Sequence, residues 1–253
     1  MRDRDRGQSS IEGDAAYAAS QSLLQVSGLD AFYGDSHALH GVALEVRRGE
    51  LVTLLGRNGA GKTTTLRAIM GLVKRHGSIR LLGKETTELM PETIARMGVG
   101  YVPEERGIFA SLSVEENLML PPVVKPGGMT VEKIYELFPN LHERRKSQGT
   151  KLSGGEQQML AIGRILRTGA DLILLDEPTE GLAPVIIEQI AIAIQALKRN
   201  GMTILLVEQN FQFARTVADR HYVMEEGHVI DTVTCHELED ARVVDRLHGH
   251  LGL

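Results

Sequence analysis

A glycine-rich segment, GRNGAGKT, occupies positions 56–63 and ends in Lys62 and Thr63. Glycines let the backbone fold so that several N–H groups point at one anion, and a lysine adds a full positive charge. Lys62 would contact the β- and γ-phosphates of a nucleotide, and the Thr63 hydroxyl would ligate Mg²⁺. The segment therefore predicts a phosphate loop, which comprises Gly56, Asn58, Gly59, Ala60, Gly61, Lys62, Thr63 and Thr64.

Two acidic residues, Asp176 and Glu177, follow directly after an apolar run at 172–175. In open α/β sheets, ligands bind at the carboxyl ends of the strands, so these side chains are placed to meet the phosphate loop. Asp176 would hold Mg²⁺, usually through water, and Glu177 would orient and polarise an attacking water. The alternative is a pair of solvated loop acids.

The segment LSGGEQQ at 152–158 predicts the start of a helix. Ser153 has the character of an N-cap, and Glu156 stands where it would complete a capping box. One interpretation is only a well-capped helix. The other is a second anion site, formed by Ser153 and the free N–H groups of Gly154 and Gly155.

Apolar runs alternate with helical patterns along the chain, which predicts an α/β fold with a mostly parallel sheet. A hairpin with an antiparallel strand is expected at 222–230, and a mostly helical region is expected to be inserted at about 86–168. Strands are predicted at 51–55, 172–175 and 203–207, and helices at 64–71, 153–167, 185–199 and 236–247.

Composition narrows the class of function. The chain has 253 residues and a net charge of -5, which disfavours general electrostatic binding to nucleic acid. Its one cysteine, Cys235, cannot form an intramolecular disulfide or a cysteine-rich metal site. No apolar stretch approaches the roughly 20 residues of a membrane-spanning helix. We expect residues 1–21 to form a flexible tail, because they offer little apolar surface to bury.

The motifs GRNGAGKTT, LSGGEQQ and LILLDEPT, in this order and spacing, resemble the ATP-binding subunit of ABC transporters. The resemblance covers nearly all of residues 22–253 and implies a P-loop NTPase domain of the ABC ATPase type. It implies ATP as ligand and a head-to-tail dimer, in which LSGGEQQ of one subunit caps the γ-phosphate in the other. By the same resemblance, Tyr33 would stack on adenine and residues 179–183 would contact the partner subunit.

Two positions depart from the general family pattern. Glu104, in YVPEERG, stands where the family usually has a glutamine that contacts Mg²⁺ or the water. A glutamate can still ligate Mg²⁺, but it brings negative charge near the phosphates. Gln209, in LLVEQN, stands where the family usually has a histidine that senses the γ-phosphate. A glutamine amide can donate a hydrogen bond there, but it cannot carry a proton or a charge.

The stretches YVPEERGIFASLSVEENL, DEPTEGLAP and LLVEQN resemble the ATPase subunits of branched-chain amino-acid importers and of their urea- and amide-importing relatives. That resemblance implies two membrane permeases as partners, an indirect partnership with a periplasmic binding protein, and a peripheral location on the cytoplasmic face of a bacterial inner membrane. We expect no nucleic-acid partner, because the net charge of the chain is negative. We expect a groove for a permease helix formed by Ile108, Phe109, Leu112 and Val114, and internal packing of these residues is the alternative.

Other functions share the same motifs. An ATPase of a lipid or polysaccharide exporter is one alternative. A soluble ABC ATPase in translation or DNA repair is another, but the first type carries two ATPase units and the second a long coiled coil. Only 90 residues separate Lys62 from Ser153, without a heptad run. A non-hydrolysing regulatory subunit is disfavoured by the presence of Lys62, Asp176 and Glu177.

Overall fold

A computed structural model describes residues 22–252, and the tail predicted for residues 1–21 lies outside them. The strands are β1 (Ser22–Tyr33), β2 (Ser36–Arg47), β3 (Leu51–Leu55), β4 (Lys74–Leu81), β5 (Lys84–Glu85), β6 (Val99–Val102), β7 (Leu172–Asp176), β8 (Thr203–Glu208), β9 (Arg220–Glu225) and β10 (His228–Thr234).

The strands form two sheets. An antiparallel sheet has the order β2-β1-β4-β5, and a second sheet has the order β10-β9-β3-β8-β7-β6. In the second sheet, the pairs from β9 through β6 are parallel, and β10 alone runs antiparallel, against β9. The predicted α/β architecture, with a mostly parallel sheet and an antiparallel part, is confirmed.

The central strands are buried on both faces, which explains their continuous apolar runs. In β7, Leu172 and Leu174 pack into the core that faces the antiparallel sheet. Ile173 and Leu175 point the other way, into a core closed by helices. The alternation of side chains along a strand therefore supplies two hydrophobic layers from one short segment.

The helices cover the faces of the second sheet and build the region between β6 and β7. They are α1 (Lys62–Ile69), α2 (Pro91–Arg96), α3 (Val114–Met119), α4 (Val131–Leu137), α5 (Pro139–Glu143), α6 (Gly154–Arg167), α7 (Pro184–Arg199), α8 (Phe211–Val217) and α9 (Ala241–Leu251). Within the described residues, no helix is long and apolar enough to cross a membrane.

Two sequence predictions need adjustment. The last helix begins at Ala241 and not at 236, because Asp240 accepts a hydrogen bond from Arg242 N and acts as its N-cap. A short 3₁₀ turn, Glu237–Glu239, precedes it. The range 86–168, expected to be mostly helical, contains β6, which pairs with β7 in the second sheet.

Strands β3, β6, β7 and β8 are parallel neighbours, so their carboxyl ends lie at one edge of the sheet. The phosphate loop follows β3, Glu104 follows β6, Glu177 follows β7, and Gln209 follows β8. The topology therefore places four of the predicted site segments side by side.

Candidate functional site

The phosphate loop (residues 56–64) joins β3 to α1, and its glycines are required by its geometry. A Cβ at Gly56 would lie 2.5 Å from the Met224 carbonyl oxygen. Gly59 and Gly61 have φ values of 83° and 102°, in the left-handed region that favours glycine. Gly61 is the N-cap of α1, so the free N–H groups of the helix start are directed at the loop interior.

Lys62 is the buried cation of the loop, with 4% of its surface exposed. Its Nζ donates hydrogen bonds to the carbonyl oxygens of Gly56 (2.9 Å) and Arg57 (3.0 Å). The same Nζ lies 3.0 Å from Glu177 Oε1. One ammonium group therefore joins the phosphate loop to the carboxylate predicted to act on water.

Asp176 and Thr63 form the oxygen-donor pair of the site. Thr63 Oγ1 donates to Asp176 Oδ1 at 2.8 Å, and the hydroxyl of Tyr101 donates to Asp176 Oδ2 at the same distance. Burial raises the pKa of the Asp176 carboxyl above its usual value, and the two hydroxyl donors partly offset that rise. The donors fix the orientation of both carboxylate oxygens.

The donor set suits Mg²⁺, which takes hard oxygen ligands and keeps several waters or phosphate oxygens of its own. Thr63 and Asp176 present adjacent oxygens, and Glu104 lines the same cavity. Within residues 22–252, no group of three or more His, Cys, Asp or Glu side chains could hold a metal ion. A cation here would thus depend on nucleotide phosphates for much of its coordination.

The phosphate loop and the acidic residues enclose one cavity of about 510 Å³. Partial burial raises the pKa of Glu104, and the nearby carboxylates of Glu177 and Asp176 add to that effect. Half of the predicted site residues are brought together on the cavity wall, namely Asn58, Gly59, Gly61, Lys62, Thr63, Thr64, Glu104 and Glu177.

Three predicted segments are not part of the cavity wall. Gln209 Nε2 donates to Glu180 Oε2 at 3.0 Å, and Glu180 itself lines the cavity. Tyr33 is 43% exposed, and its hydroxyl lies 3.5 Å from Thr64 Oγ1. The Ser153–Gly155 segment, at the start of α6, lies beside Leu182 and Ile186.

The predicted capping box at the start of α6 is present. Ser153 Oγ accepts a hydrogen bond from Glu156 N, and the Glu156 carboxylate accepts one from Ser153 N at 2.7 Å. Ser153 is exposed, whereas Gly155 is buried against Ile186. The segment therefore presents an open helix N-terminus on a surface separate from its own chain's phosphate loop.

Sequence reasoning missed several residues of the site. Tyr101 contacts Asp176, which is 75 positions away in the chain. The pKa of the Arg67 guanidinium is raised, mainly by a hydrogen bond with Tyr33. The position of Tyr101 at the end of β6, beside β7, could have indicated it, because neighbouring parallel strands end at one edge. The cavity wall also includes His37 and His40 from β2, which belong to no recognisable motif.

Comparison with known proteins finds relatives that match most of the chain. The sequence model of the family described as "ABC transporter" matches residues 39–180. The high-affinity branched-chain amino acid transport ATP-binding protein BraG of Pseudomonas aeruginosa is 46% identical over 218 residues, or 82% of this chain and 91% of that protein. The lipopolysaccharide export system ATP-binding protein LptB of Escherichia coli K12 is 34% identical over 233 residues, or 90% of this chain and 97% of that protein.

Solved structures agree in fold. The ATP-binding cassette MJ0796, in a dimeric post-hydrolysis state bound to ADP and Pi, matches with a TM-score of 0.75 at 25% identity. The match covers 84% of this chain and 98% of that one. The likeness therefore extends over the strands and loops that build the cavity.

Proposed function

The chain belongs to the ABC transporter family of ATPases, and from this premise we propose that it powers the import of branched-chain amino acids or of related small polar solutes such as urea or amides. The cavity in which Lys62, Glu177 and the Thr63–Asp176 pair converge supports ATP hydrolysis as the energy source. The identity of 46% to a branched-chain amino acid transport protein supports the choice of solute class.

The residues divide the work of hydrolysis. Backbone N–H groups of the phosphate loop and the Lys62 ammonium bind the triphosphate, and Tyr33 stacks on adenine, which gives modest selectivity because every base offers a π-face. Glu177 accepts a hydrogen bond from the attacking water and takes up its proton. Gln209 donates a hydrogen bond to the γ-phosphate. Thr63 and Asp176, with Glu104 nearby, would hold Mg²⁺, which would neutralise negative charge on the phosphates.

The placement of the Ser153–Gly155 segment supports a dimer. Its exposed helix N-terminus is suited to an anion, yet it lies apart from the phosphate loop of its own chain. We infer that Ser153, Gly154 and Gly155 cap the γ-phosphate bound by a second ATPase subunit, identical or homologous. ATP then closes the dimer, and hydrolysis allows it to reopen. The dimeric structure that this chain resembles is consistent with that arrangement.

The region after Glu104 provides a surface for the permease. Phe109 is 45% exposed, and its ring centre lies 4.9 Å from the Arg164 guanidinium. Its backbone is fixed by Asn117, whose Oδ1 accepts from Phe109 N and whose Nδ2 donates to the Phe109 carbonyl. Val114 is fully buried in the helical core, and Ile108 packs against that core. The expected groove is therefore reduced. Val114 serves internal packing, Ile108 and Leu112 are half-buried, and Phe109 is the exposed side chain among the four.

We propose that the subunit acts on the cytoplasmic face of a bacterial inner membrane, bound to two integral permeases that receive solute from a periplasmic binding protein. The competing function is a lipid or polysaccharide exporter. It is supported by the 34% identity to a lipopolysaccharide export protein. A soluble ABC ATPase unconnected to transport is the other alternative.

Affinity purification from native membranes, with mass spectrometry of the proteins that copurify, tests the proposal. Two integral permeases, and uptake of labelled leucine, urea or an amide that is lost with the subunit, would support import. Copurification with proteins of lipid or polysaccharide export would support the exporter instead. Ribosomal or DNA-repair proteins without a permease would contradict transport and leave the ATPase chemistry.

A further inference from the structure

A buried carboxyl group, Glu208, stands at the carboxyl end of β8 and is not used by the proposed hydrolysis. Only 1% of its surface is exposed, and it lies directly before Gln209. Burying an acid costs free energy unless hydrogen bonds compensate, so the contacts of such a group reveal what it holds in place. Within the described residues, each hydrogen bond to its carboxyl group comes from the turn after β7 or from the N-cap of α8.

The first contact is with the turn that follows β7, residues 177–180, here called the catalytic turn. Glu208 Oε1 accepts hydrogen bonds from Thr179 Oγ1 at 2.7 Å and from Thr179 N at 3.3 Å. Thr179 is itself buried, with 5% of its surface exposed. One carboxylate oxygen therefore binds both donors of a single residue, which fixes the position and the rotation of that residue.

The catalytic turn carries Glu177 in a conformation that needs support. Glu177 has a φ of 43°, in the left-handed region that is costly for a residue with a side chain. Its N–H donates to the Val207 carbonyl at 3.0 Å, and its carbonyl accepts from Glu180 N at 3.1 Å. With Thr179 held by Glu208, the turn is attached to β8 at both Glu177 and Thr179.

The second contact extends the same link to α8. Glu208 Oε2 accepts from Asn210 N at 3.2 Å, and Asn210 Oδ1 caps the helix by accepting from Phe213 N. Between these residues, Gln209 donates to Glu180 on the catalytic turn. Glu208 thus fixes the segment that carries Gln209 as well as the turn that carries Glu177.

We propose that Glu208 is a positioning residue for hydrolysis, which sets the placement of Glu177 by binding Thr179. The inference rests on the proposed ATPase function of this site. Glu208 does not line the cavity in which the phosphate loop and Glu177 meet, so it would act through the backbone of the catalytic turn. Because a small misplacement of a catalytic group costs far more in turnover than in binding, its loss should lower kcat and leave KM nearly unchanged.

Three variants separate positioning from simple stability. Glu208→Met keeps the length of the side chain and removes every acceptor. Glu208→Gln keeps one carbonyl oxygen for the Thr179 donors. Thr179→Val keeps the shape of its residue and removes the hydroxyl donor. The control is Thr203→Val, at the opposite end of β8, where a buried hydroxyl accepts from Gly49 N at 2.9 Å.

Steady-state ATPase rates, divided by the number of sites that bind ATP, report the outcome. We expect Glu208→Met to lower kcat by about 100-fold with KM changed by less than about threefold. Glu208→Gln should recover most of kcat, and Thr179→Val should lower it without adding to the effect of Glu208→Met in the double variant. Thr203→Val should lower the melting temperature and leave kcat unchanged.

Each result has a distinct meaning. Wild-type kcat in Glu208→Met, or equal loss in Thr203→Val and Thr179→Val, overturns the positioning role while the ATPase function stands. Absence of ATP turnover in the wild-type protein overturns the proposed function, and the inference with it. If Glu208→Met does not fold, Glu208→Gln and Thr179→Val decide the question, because unchanged kcat in both contradicts the proposal.

Discussion

At the scale of single residues, Glu177 and a bound phosphate would compete for the Lys62 ammonium. The Lys62 ammonium pairs with Glu177 Oε1 at 3.0 Å, and the same ammonium is the group that a bound phosphate would attract. A polyphosphate that takes over Lys62 leaves Glu177 free to accept a hydrogen bond from water. In the proposed reaction, binding of substrate would therefore prepare Glu177, in a site where both side chains are largely withdrawn from solvent.

The first prediction concerns Glu177→Gln. The amide cannot take a proton from water, so we expect turnover to fall by about 10³-fold, within the usual range for a lost general base. Affinity for ATP should be kept or increased, because a negative charge that faces the phosphates is removed. Single-turnover release of phosphate and equilibrium binding of ATP measure the two effects, with the exposed α7 substitution Glu188→Gln as the control. Rapid turnover in the variant would exclude Glu177 as the base.

The second prediction concerns Tyr101→Phe. The change removes the hydroxyl that donates to Asp176 Oδ2 at 2.8 Å and keeps the ring. Since partners of metal ligands orient them, we expect the Mg²⁺ concentration for half-maximal ATPase to rise by about 10-fold. Titration with Mg²⁺ at saturating ATP measures the shift, and binding of Mn²⁺ with nucleotide, followed by electron paramagnetic resonance, supplies a readout independent of turnover. Tyr135→Phe, in the helical region, should leave both unchanged.

The site could be predicted where its residues are contiguous in the chain. Lys62 with Thr63, and Asp176 with Glu177, are recognisable because loop and strand end in short motifs. Tyr101 contacts Asp176 only because β6 pairs with β7, and no local sequence pattern predicts that pairing. Long-range contacts of this kind are the part of the site that needed the structure.

At the scale of elements, strands buried on both faces were the most predictable feature. The apolar runs of β3, β7 and β8 match their observed bounds within a residue. Strand β6 was not predicted, and its residues were assigned to the mostly helical region at 86–168, because the strand is four residues long and contains Gly100. A Cβ at Gly100 would lie 2.2 Å from Ile165 Cγ2, so that glycine is required by a helix that packs across the strand. The spacing of residues in the sequence does not show that α6 packs across β6.

The third prediction belongs to the packing of α6 against α7. A Cβ at Gly155 would lie 2.5 Å from Ile186 Cγ2, whereas a Cβ at Gly154 meets nothing nearer than 3.4 Å. We expect Gly155→Ala to be less stable than Gly154→Ala by about 1–2 kcal/mol, since overpacking outweighs the gain in helix propensity. Urea denaturation of the two variants measures the difference. Equal stability would show that Ile186 moves aside without cost.

At the scale of the whole molecule, two buried titratable groups act on stability in opposite directions. Burial lowers the pKa of His221, which is fully buried with its Nδ1 2.6 Å from Thr53 Oγ1, to about 4. Burial raises the pKa of Glu208 to about 7. The unfolded chain binds protons at His221 near pH 6.5 and at Glu208 near pH 4.5. The His221 contribution is therefore lost as the pH falls from 6.5 to 4, and the Glu208 contribution is lost as the pH rises from 4.5 to 7.

The fourth prediction follows from these signs. Each pKa difference corresponds to about 3 kcal/mol of unfolding free energy, so the changes of the two contributions with pH nearly cancel between pH 4.5 and 6.5. Relative to wild type, His221→Gln should gain stability as the pH falls through this window, and Glu208→Gln should gain stability as the pH rises through it. Urea unfolding at half-unit steps from pH 4 to 7.5 gives both differences, in which the remaining titratable groups cancel. A stability difference independent of pH in both variants would mean that neither group is buried in the form assigned here. Opposite slopes of these stability differences against pH would show that Glu208, which supports the catalytic turn, and His221, on β9 beside β3, together keep the stability of the fold nearly constant at mildly acidic pH.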